Sequence, residues 1–499
     1  MIGKQGKNEL MIFYFAIKAI PTTQYLAKQL DIPKRTIKEH IKTINHIVDQ
    51  EFGFSDIISI DHSGKVHFNP IYEQEKYFIF LKLKLYFLNQ STDFLILKAL
   101  ITKSSITTFK LAKDIFISRS YLSRRIKKLN TQLEPLDITI KSHNSQVFLT
   151  GNELMIRILC FLMLSDSFQS IEWPFTDFSR EELRRKLPLF VISNSYRMSD
   201  TKKQLLEYFF GIVMVRTNSD NYLQNNYSND FFDLVEIMTK KGNLAASFFN
   251  SSLFKTKNSL QKEIEEKYFN FFCYIFASDI IPNEQILDIS IQLLDSEIKY
   301  VVLAKKFFNR IQKATFPIGD SAVIKHFIYY LTLHFALYEQ AQNKVSTLEL
   351  FLFQAPKLEV LIDNELTNLV HLELEQFIRE ENINYLQDEN TKLIIENLTS
   401  TFFSIECSSS IYIYIQTSKE LATNFIISRL ISTFFGDERV KITDDYGKAD
   451  LIITDSFEKN KKNNVPIYFY DSLRNHKQWS GLVNLIHEIL LKKVFIFEE

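Results

Sequence analysis

The chain has 499 residues, of which 46% are hydrophobic and 14% aromatic, so it can form several packed cores; a disordered protein is excluded and about three or four domains are expected. Its three cysteines are odd in number and far apart, which argues against a disulfide framework or a cysteine-based metal site. The chain contains no run of about 20 uncharged apolar residues, so we expect a cytoplasmic protein with no membrane span, cofactor or metal.

The formal net charge of zero hides an uneven distribution of charge along the chain. Residues 1–150 contain 22 basic and 13 acidic residues, a balance of +9, and the remainder therefore carries a balance of −9. Lysine and arginine gain affinity for nucleic acid by releasing counterions from phosphates. The asymmetry favours an N-terminal part that binds double-stranded DNA.

A first basic helix is predicted in the stretch "IPKRTIKEHIKTIN", residues 32–45. Ile37, Ile41, Ile44 and Val48 recur at helical spacing and form one apolar face. A shorter helix is predicted just before it, in "TTQYLAKQLDIP", and this order is typical of a helix-turn-helix unit. The outward-facing basic residues that we predict to contact DNA are Lys34, Arg35, Lys38 and Lys42.

A second basic helix is predicted in "ISRSYLSRRIKKLN", residues 117–130, and it follows the short helix "ITTFKLAKDIFIS". Ser118 stands where an N-cap residue is expected. The apolar face comprises Leu122, Ile126, Leu129 and Leu133. The outward-facing residues predicted to contact DNA are Arg119, Ser120, Ser123, Arg124 and Lys127. Because this helix is the more basic of the two, we expect it to be the main reader of base sequence.

A hairpin pattern follows each basic helix. The stretches "DIISIDHSGKVHFNP" and "LDITIKSHNSQVFLTG" alternate apolar and polar residues as half-buried strands do, with predicted turns at Ser63-Gly64 and His143-Asn144. Each hairpin is predicted to be the wing of a winged helix. One amphipathic basic helix is readily explained as a solvated surface, but a duplicated unit of the same design favours DNA binding.

The rest of the chain changes character twice. From Gly151 to about Ser400 helical patterns follow one another, and a break near Pro282 divides them into two predicted bundles. After residue 400 short strands alternate with helices, which is typical of an α/β domain with a largely parallel sheet. The predicted fold class is therefore multidomain and mainly α, with two N-terminal winged helix-turn-helix domains, two helical bundles and a C-terminal α/β domain.

This order of parts resembles the Mga/AtxA class of transcriptional regulators. The most specific residues are "SRSYLSRRIKKLN" and the junction "LTGNELMIRILCFLMLSDSFQSIEWPF", residues 149–175. The resemblance is good over about residues 10–180 and is architectural beyond them. It implies that the bundles are regulation domains of the sugar-phosphotransferase system (PTS) and that the last domain resembles a phosphotransferase IIB subunit. The expected domains are residues 1–70, 71–150, 151–284, 285–400 and 401–499.

The resemblance further implies a homodimeric or higher-oligomeric activator, often of surface or virulence genes in Gram-positive bacteria. It implies that histidines of the regulation domains receive phosphoryl groups from a phosphocarrier protein. The chain has no histidine between His143 and His326, so the first bundle departs from this pattern. The candidate phosphohistidines of the second bundle are His326 and His371, although a histidine among apolar residues is more often part of a core.

Three other classes of protein remain as alternatives. An RNA-binding antiterminator also carries tandem regulation domains, but it begins with a small β domain rather than with paired helix-turn-helix units. A phosphotransferase component needs a cysteine just after the first strand of its IIB domain, whereas Cys407 comes before that strand. A scaffold protein would not require the duplicated wings. No spacing of Ser, His and Asp suggests an enzyme.

Overall fold

The computed structural model describes residues 1–103, 105–169, 171–186, 199–224, 228–240, 243, 246–250, 254, 258–276, 281–315, 318, 321–345, 347–348, 365–407, 410–416, 423–436, 439–455, 465–470 and 476–494. The chain divides into two compact units, residues 1–304 with 328–357 and residues 305–327 with 358–499. The borders of the five predicted domains stay predictions.

Helices dominate the described chain, as the sequence predicted. The first eight are Lys4–Lys18 (α1), Thr23–Leu30 (α2), Lys34–Phe52 (α3), Lys76–Asn89 (α4), Thr92–Lys103 (α5), Thr108–Asp114 (α6), Arg119–Leu133 (α7) and Glu153–Phe168 (α8). The others are Arg180–Lys186 (α9), Asp200–Thr217 (α10), Asn229–Thr239 (α11), Ala246–Phe249 (α12), Ser259–Phe276 (α13), Asn283–Leu294 (α14), Lys299–Ala314 (α15), Ser321–Gln340 (α16), Glu365–Glu380 (α17), Glu389–Cys407 (α18), Thr423–Phe435 (α19) and His476–Val494 (α20).

The described strands form three small sheets. The strands are Ile58–Ile60 (β1), Val66–Phe68 (β2), Ser105–Thr107 (β3), Ile138–His143 (β4), Gln146–Gly151 (β5), Ile411–Gln416 (β6), Val440–Ile442 (β7), Leu451–Thr454 (β8) and Ile467–Phe469 (β9). The first sheet pairs β1 with β2, the second has the order β3-β5-β4, and the third has the order β7-β6-β8-β9.

The first helix-turn-helix packs α1, α2 and α3 against the hairpin of β1 and β2. The apolar face of α3 is buried as predicted, and it meets Ile12 and Phe13 of α1 in one core. Ile79 and Leu83 of α4 pack into the same core, so this core extends beyond residue 70. Burying these aliphatic side chains stabilises the orientation of α3 relative to the rest of the unit.

The second helix-turn-helix repeats this arrangement with α5, α6 and α7. Its hairpin lies one residue later than predicted, since the two turn residues are Asn144 and Ser145 rather than His143 and Asn144. Both have positive φ, 47° and 62°, which is the backbone that a tight two-residue hairpin turn requires. The short strand β3 adds a third strand to this wing by pairing with β5.

A buried ion-pair network joins the second wing to the helices that follow it. Arg157 of α8 donates to Glu265 of α13, with 3.0 Å between Nη2 and Oε1, and to Glu153, with 2.9 Å between Nε and Oε1. Arg216 of α10 donates to the same Glu153, and its Nη2 lies 3.4 Å from the backbone oxygen of Leu149 in β5. The four charged side chains are at most 9% exposed. Helices α8, α10 and α13 are thereby tied to the end of the wing.

Aromatic side chains pack between the same helices, α8, α10 and α13. The rings of Phe161 and Phe209 stack with centroids 3.8 Å apart, and those of Phe210 and Phe269 lie 4.5 Å apart. Aromatic pairs at such distances add to the energy of apolar burial. The adjacent rings of Phe209 and Phe210 in α10 thus pack against two different helices, α8 and α13.

The C-terminal sheet lies in the other unit. All its described pairings are parallel, as the alternation of strands and helices predicted. Its core contains Ile413 of β6 and Ile453 of β8, against which Ile427 of α19 and Ile486 of α20 pack. A small sheet at this end of a mainly helical chain is confirmed.

Candidate nucleic-acid interface

Helix α7 presents all of its predicted contact residues to solvent. The Ser118 hydroxyl caps the helix by accepting from the backbone N–H of Tyr121 at 3.2 Å, as expected. Leu122, Leu129 and Leu133 are buried. The exposed face carries Arg119, Ser120, Ser123, Arg124 and Lys127. An exposed cationic face at the start of a helix that follows a tight turn has the geometry required for a major groove.

The serines of this face are partly engaged within α7. The Ser120 and Ser118 hydroxyls lie 3.1 Å apart, and the Ser123 hydroxyl donates to the backbone oxygen of Arg119 at 3.1 Å. Arg119 and Arg124 contact aromatic faces instead, since their guanidinium carbons lie 5.2 Å from the ring of Phe109 and 5.4 Å from that of Tyr121. Within the described chain neither arginine forms an ion pair, so both guanidinium groups keep their capacity to donate.

Helix α3 exposes Lys34, Arg35, Lys38 and Lys42 as predicted. Two of these four side chains contact neighbours. Lys34 donates to Gln24 at 3.1 Å, and Arg35 lies 3.1 Å from Glu39 one turn along the helix. An exposed pair of this kind contributes only about 0.3–0.5 kcal/mol, so Arg35 is readily released to a phosphate.

Arg125 differs from the other cations of the second basic stretch. It forms a two-pronged hydrogen bond with Asp93 of α5, at 2.8 Å between Nε and Oδ1, and this pairing raises the pKa of its guanidinium. The equivalent position of α3 holds His40, whose Nδ1 lies 2.9 Å from a carboxylate oxygen of Glu9 in α1. These two residues fix the second helix of each helix-turn-helix, α7 and α3 (the recognition helices), to its own unit. Their side chains are engaged within the fold.

An asparagine joins each recognition helix to its wing. Asn130 of α7 donates to the backbone oxygen of Ile140 at 3.0 Å and accepts from its N–H at 2.7 Å. Asn45 of α3 makes the same two bonds to Ile58, at 2.8 Å and 3.0 Å. The two asparagines are 85 positions apart. The same contact in both units supports an internal duplication.

Two more features repeat in both units. The turn before each recognition helix contains a residue in the left-handed region, Asp31 with φ 51° and Phe116 with φ 54°. Each wing turn also accepts a hydrogen bond from the first residue of the shorter helix of its unit. The backbone oxygen of Gly64 accepts from the N–H of Thr23 at 2.8 Å, and that of Ser145 accepts from the N–H of Thr108 at 2.7 Å. The wings and recognition helices are thus held in the same way in both units.

Replacing Asn130 by alanine is expected to lower the free energy of unfolding by about 1–3 kcal/mol, because the buried backbone groups of Ile140 lose both partners. Hydrogen exchange of α7 and β4 under increasing denaturant measures this change. Asn130→Asp keeps only the acceptor and should fall between alanine and wild type. Unchanged exchange in the alanine variant would contradict the role of the asparagine.

The two candidate phosphohistidines lie in different environments. His371 of α17 is exposed, and its Nδ1 lies 2.8 Å from a carboxylate oxygen of Glu396 in α18. His326 of α16 is half-buried, with Nδ1 2.8 Å from the backbone oxygen of Ala322. Among the described residues, the hydrogen bond of each ring is made by Nδ1 and not by the second nitrogen, Nε2. His334 is also half-buried, and desolvation lowers the pKa of its imidazole.

The family comparison matches the second winged unit. The model of the Mga helix-turn-helix domain matches residues 77–164, from the start of α4 into α8. The match agrees with the resemblance to Mga/AtxA regulators and with a helix-turn-helix near the N-terminus of the chain.

A second comparison finds a relative that is similar to this chain over part of its length. It is a protein of Streptococcus pneumoniae serotype 4 named "Putative trans-acting regulator", with 25% identity over 174 residues. The alignment covers 34% of this chain, and the chain spans about a third of the relative's length, 35%. One match is to a helix-turn-helix domain and the other is to a protein named as a regulator, in agreement with the prediction of a non-enzymatic protein.

Two structural findings bear on other predictions. In the described part of the chain, no helix is both long and apolar enough to span a membrane. The same residues contain no group of histidine, cysteine and acidic side chains arranged to hold a metal ion.

Proposed function

We propose that the protein is a DNA-binding transcriptional regulator that contacts double-stranded DNA through α7 and α3. The observation that carries this proposal is the duplication of the two units. Each one fixes its recognition helix with the same partly buried asparagine contacts and leaves the basic side chains of that helix exposed. Conserving the support while exposing the cations is what groove recognition requires.

The two helices would divide the work within one complex. Arginine can donate two hydrogen bonds to guanine, whereas lysine more often contacts phosphate. Helix α7, with Arg119 and Arg124, is proposed to read bases, and α3 with Lys34, Lys38 and Lys42 to hold mainly phosphates. A homodimer with two-fold symmetry is the default assembly and would place four such helices on DNA.

A salt titration of the full chain on random genomic fragments tests DNA binding. A protein that neutralises many phosphates is expected to lose about 10³-fold or more in affinity between 50 and 200 mM salt. Fluorescence anisotropy of labelled fragments measures this loss. No binding at 50 mM salt, or an affinity independent of salt, would contradict the proposal.

We propose that the regulator is an activator. The part of the chain after the second wing, residues 151–499, is proposed to link its DNA binding to the sugar-phosphotransferase system or to oligomerisation. The five domains of residues 1–70, 71–150, 151–284, 285–400 and 401–499 are part of this proposal. His371 supports it best. Its ring is about half exposed, and Glu396, itself only 7% exposed, orients the imidazole through Nδ1. A carboxylate that holds one ring nitrogen directs the other toward a reacting group.

Incubation with the phosphorylated phosphocarrier protein is expected to move a phosphoryl group from the carrier's histidine to Nε2 of His371. Mass spectrometry should detect an acid-labile increase of one phosphoryl group, which His371→Ala removes and the control His334→Ala keeps, because His334 is less exposed than His371. Labelling that persists in His371→Ala but disappears in His326→Ala would move the assignment to His326. An absence of any labelling would refute the link to the phosphotransferase system.

A further inference from the structure

The turn between α6 and α7 carries a phenylalanine in an unfavourable setting. Phe116 is 95% exposed and has a φ of 54°. A bulky side chain rarely adopts this left-handed backbone, and an exposed ring gains nothing from burial within the chain. Asp31, at the equivalent turn of the first unit, belongs to a residue type that tolerates this conformation. Phe116 is therefore not explained by the fold of its own turn.

A second exposed aromatic residue contacts the start of α7. Phe109, at the start of α6, is 60% exposed, and its ring faces the guanidinium group of Arg119, 5.2 Å away. At the equivalent position of the first unit, Gln24 accepts from Lys34 at 3.1 Å. The contact between the starts of the two helices is thus kept, but its chemistry changes from polar to aromatic.

Positive charge accompanies the exposed aromatic residues. Lys113 and Arg119 flank Phe116 in sequence, and both are exposed. A cationic surface with an exposed ring at the start of a recognition helix is complementary to a major groove. There the backbone phosphates are anionic, and the only apolar group on the base edges is the C5-methyl group of thymine.

We infer that Phe116 contacts the C5-methyl group of a thymine in the major groove, next to the base that Arg119 reads. Phe109 is a positioning residue that holds the guanidinium of Arg119 by a cation–π contact. This inference rests on the proposed DNA-binding function. It names thymine as one base of the DNA site bound by α7.

The test uses a duplex selected from a randomised library by the full-length wild-type chain. Each thymine of the selected site is then replaced in turn by deoxyuridine, which removes only the methyl group. The wild type is expected to lose about fourfold in affinity at one or two positions, the effect of exposing one buried methyl. Phe116→Ala should bind the thymine duplex about as weakly as wild type binds the uracil duplex, and it should not distinguish the two.

Phe116→Gly separates DNA contact from folding. Glycine adopts the left-handed backbone without strain, so this variant should unfold at an equal or higher temperature than wild type while losing the preference for thymine. Phe425→Ala is the matched control, because Phe425 is also an exposed phenylalanine, 67%, but lies on α19. It should keep the full preference.

Phe109 is tested through guanine. Phe109→Ala should weaken the discrimination between guanine and 7-deazaguanine, which lacks the N7 acceptor, and Phe109→Tyr should restore it. Failure of the wild type to enrich any duplex would refute the proposed function itself. The inference about Phe116 would be wrong if the Phe116→Ala variant still lost the same affinity as wild type when thymine is replaced by deoxyuridine. It would also be wrong if this variant changed only the oligomeric state. In both cases the proposed DNA binding would stand.

Discussion

The double variant Arg119→Ala/Arg124→Ala is expected to lose about 2–6 kcal/mol of DNA-binding free energy, because each arginine that donates two hydrogen bonds to a base contributes about 1–3 kcal/mol. Both side chains are exposed on α7, and their contacts with Phe109 and Tyr121 orient them without neutralising their charge. The loss should be largest for a selected duplex and smaller for random DNA. Gel-shift titration of both duplexes measures the difference.

A matched control removes the same charge elsewhere. Arg185 and Lys240 are exposed and lie outside both helix-turn-helix units, so Arg185→Ala/Lys240→Ala should keep the affinity for the selected duplex. Equal affinities of the two double variants would show that α7 is a solvated basic surface. A loss of the same size on random and selected DNA would assign Arg119 and Arg124 to phosphates rather than to bases.

Arg157→Leu is expected to lower the free energy of unfolding of its unit by about 3–5 kcal/mol, the effect of leaving a buried charge without its partner. Glu265 is fully buried and would keep only the backbone N–H of Leu223, at 2.9 Å, among the bonds described. Burial alone lowers the pKa of Arg157, but the facing carboxylates of Glu265 and Glu153 raise it above its ordinary value, so the side chain stays charged.

Hydrogen exchange of α8 and α13 under denaturant measures this destabilisation. Arg35→Leu serves as the control, because its pair with Glu39 is exposed on both sides and contributes little. Glu265→Gln in the Arg157→Leu background should recover part of the stability, since it removes the unpaired charge. A loss for Arg157→Leu no larger than that of Arg35→Leu would contradict the role of the network.

The local parts of the fold were predictable from sequence because their signals are periodic. The apolar faces of α3 and α7 recur at three and four residues, and the hairpins alternate. The exposure of all nine predicted DNA-contact residues follows from the same periodicity. Their contacts with DNA, and the phosphorylation of His326 and His371, stay predictions.

Contacts between distant residues were not predictable in this way. In the sequence Arg125 is one more cation of the second basic stretch. In the structure its guanidinium group donates to Asp93, 32 positions earlier, and not to an external partner. The partner of Arg157 lies 108 positions later. No periodic signal marks such pairs, because the fold alone brings them together. The repeated asparagines at 45 and 130 did carry a signal in the sequence. Each comes directly after the third residue of the apolar face of its helix, Ile44 or Leu129.

The two helix-turn-helix units are similar in their supporting contacts but not identical at their surfaces. The supporting contacts of the two units match, but their outer edges have diverged, with Asp31 and Gln24 in one and Phe116 and Phe109 in the other. Two helix-turn-helix units with different surfaces on one chain would prefer two different DNA sequences in a fixed order. If the chain binds DNA as proposed, a single protomer would bind such a site in one orientation, and it would do so without a partner subunit.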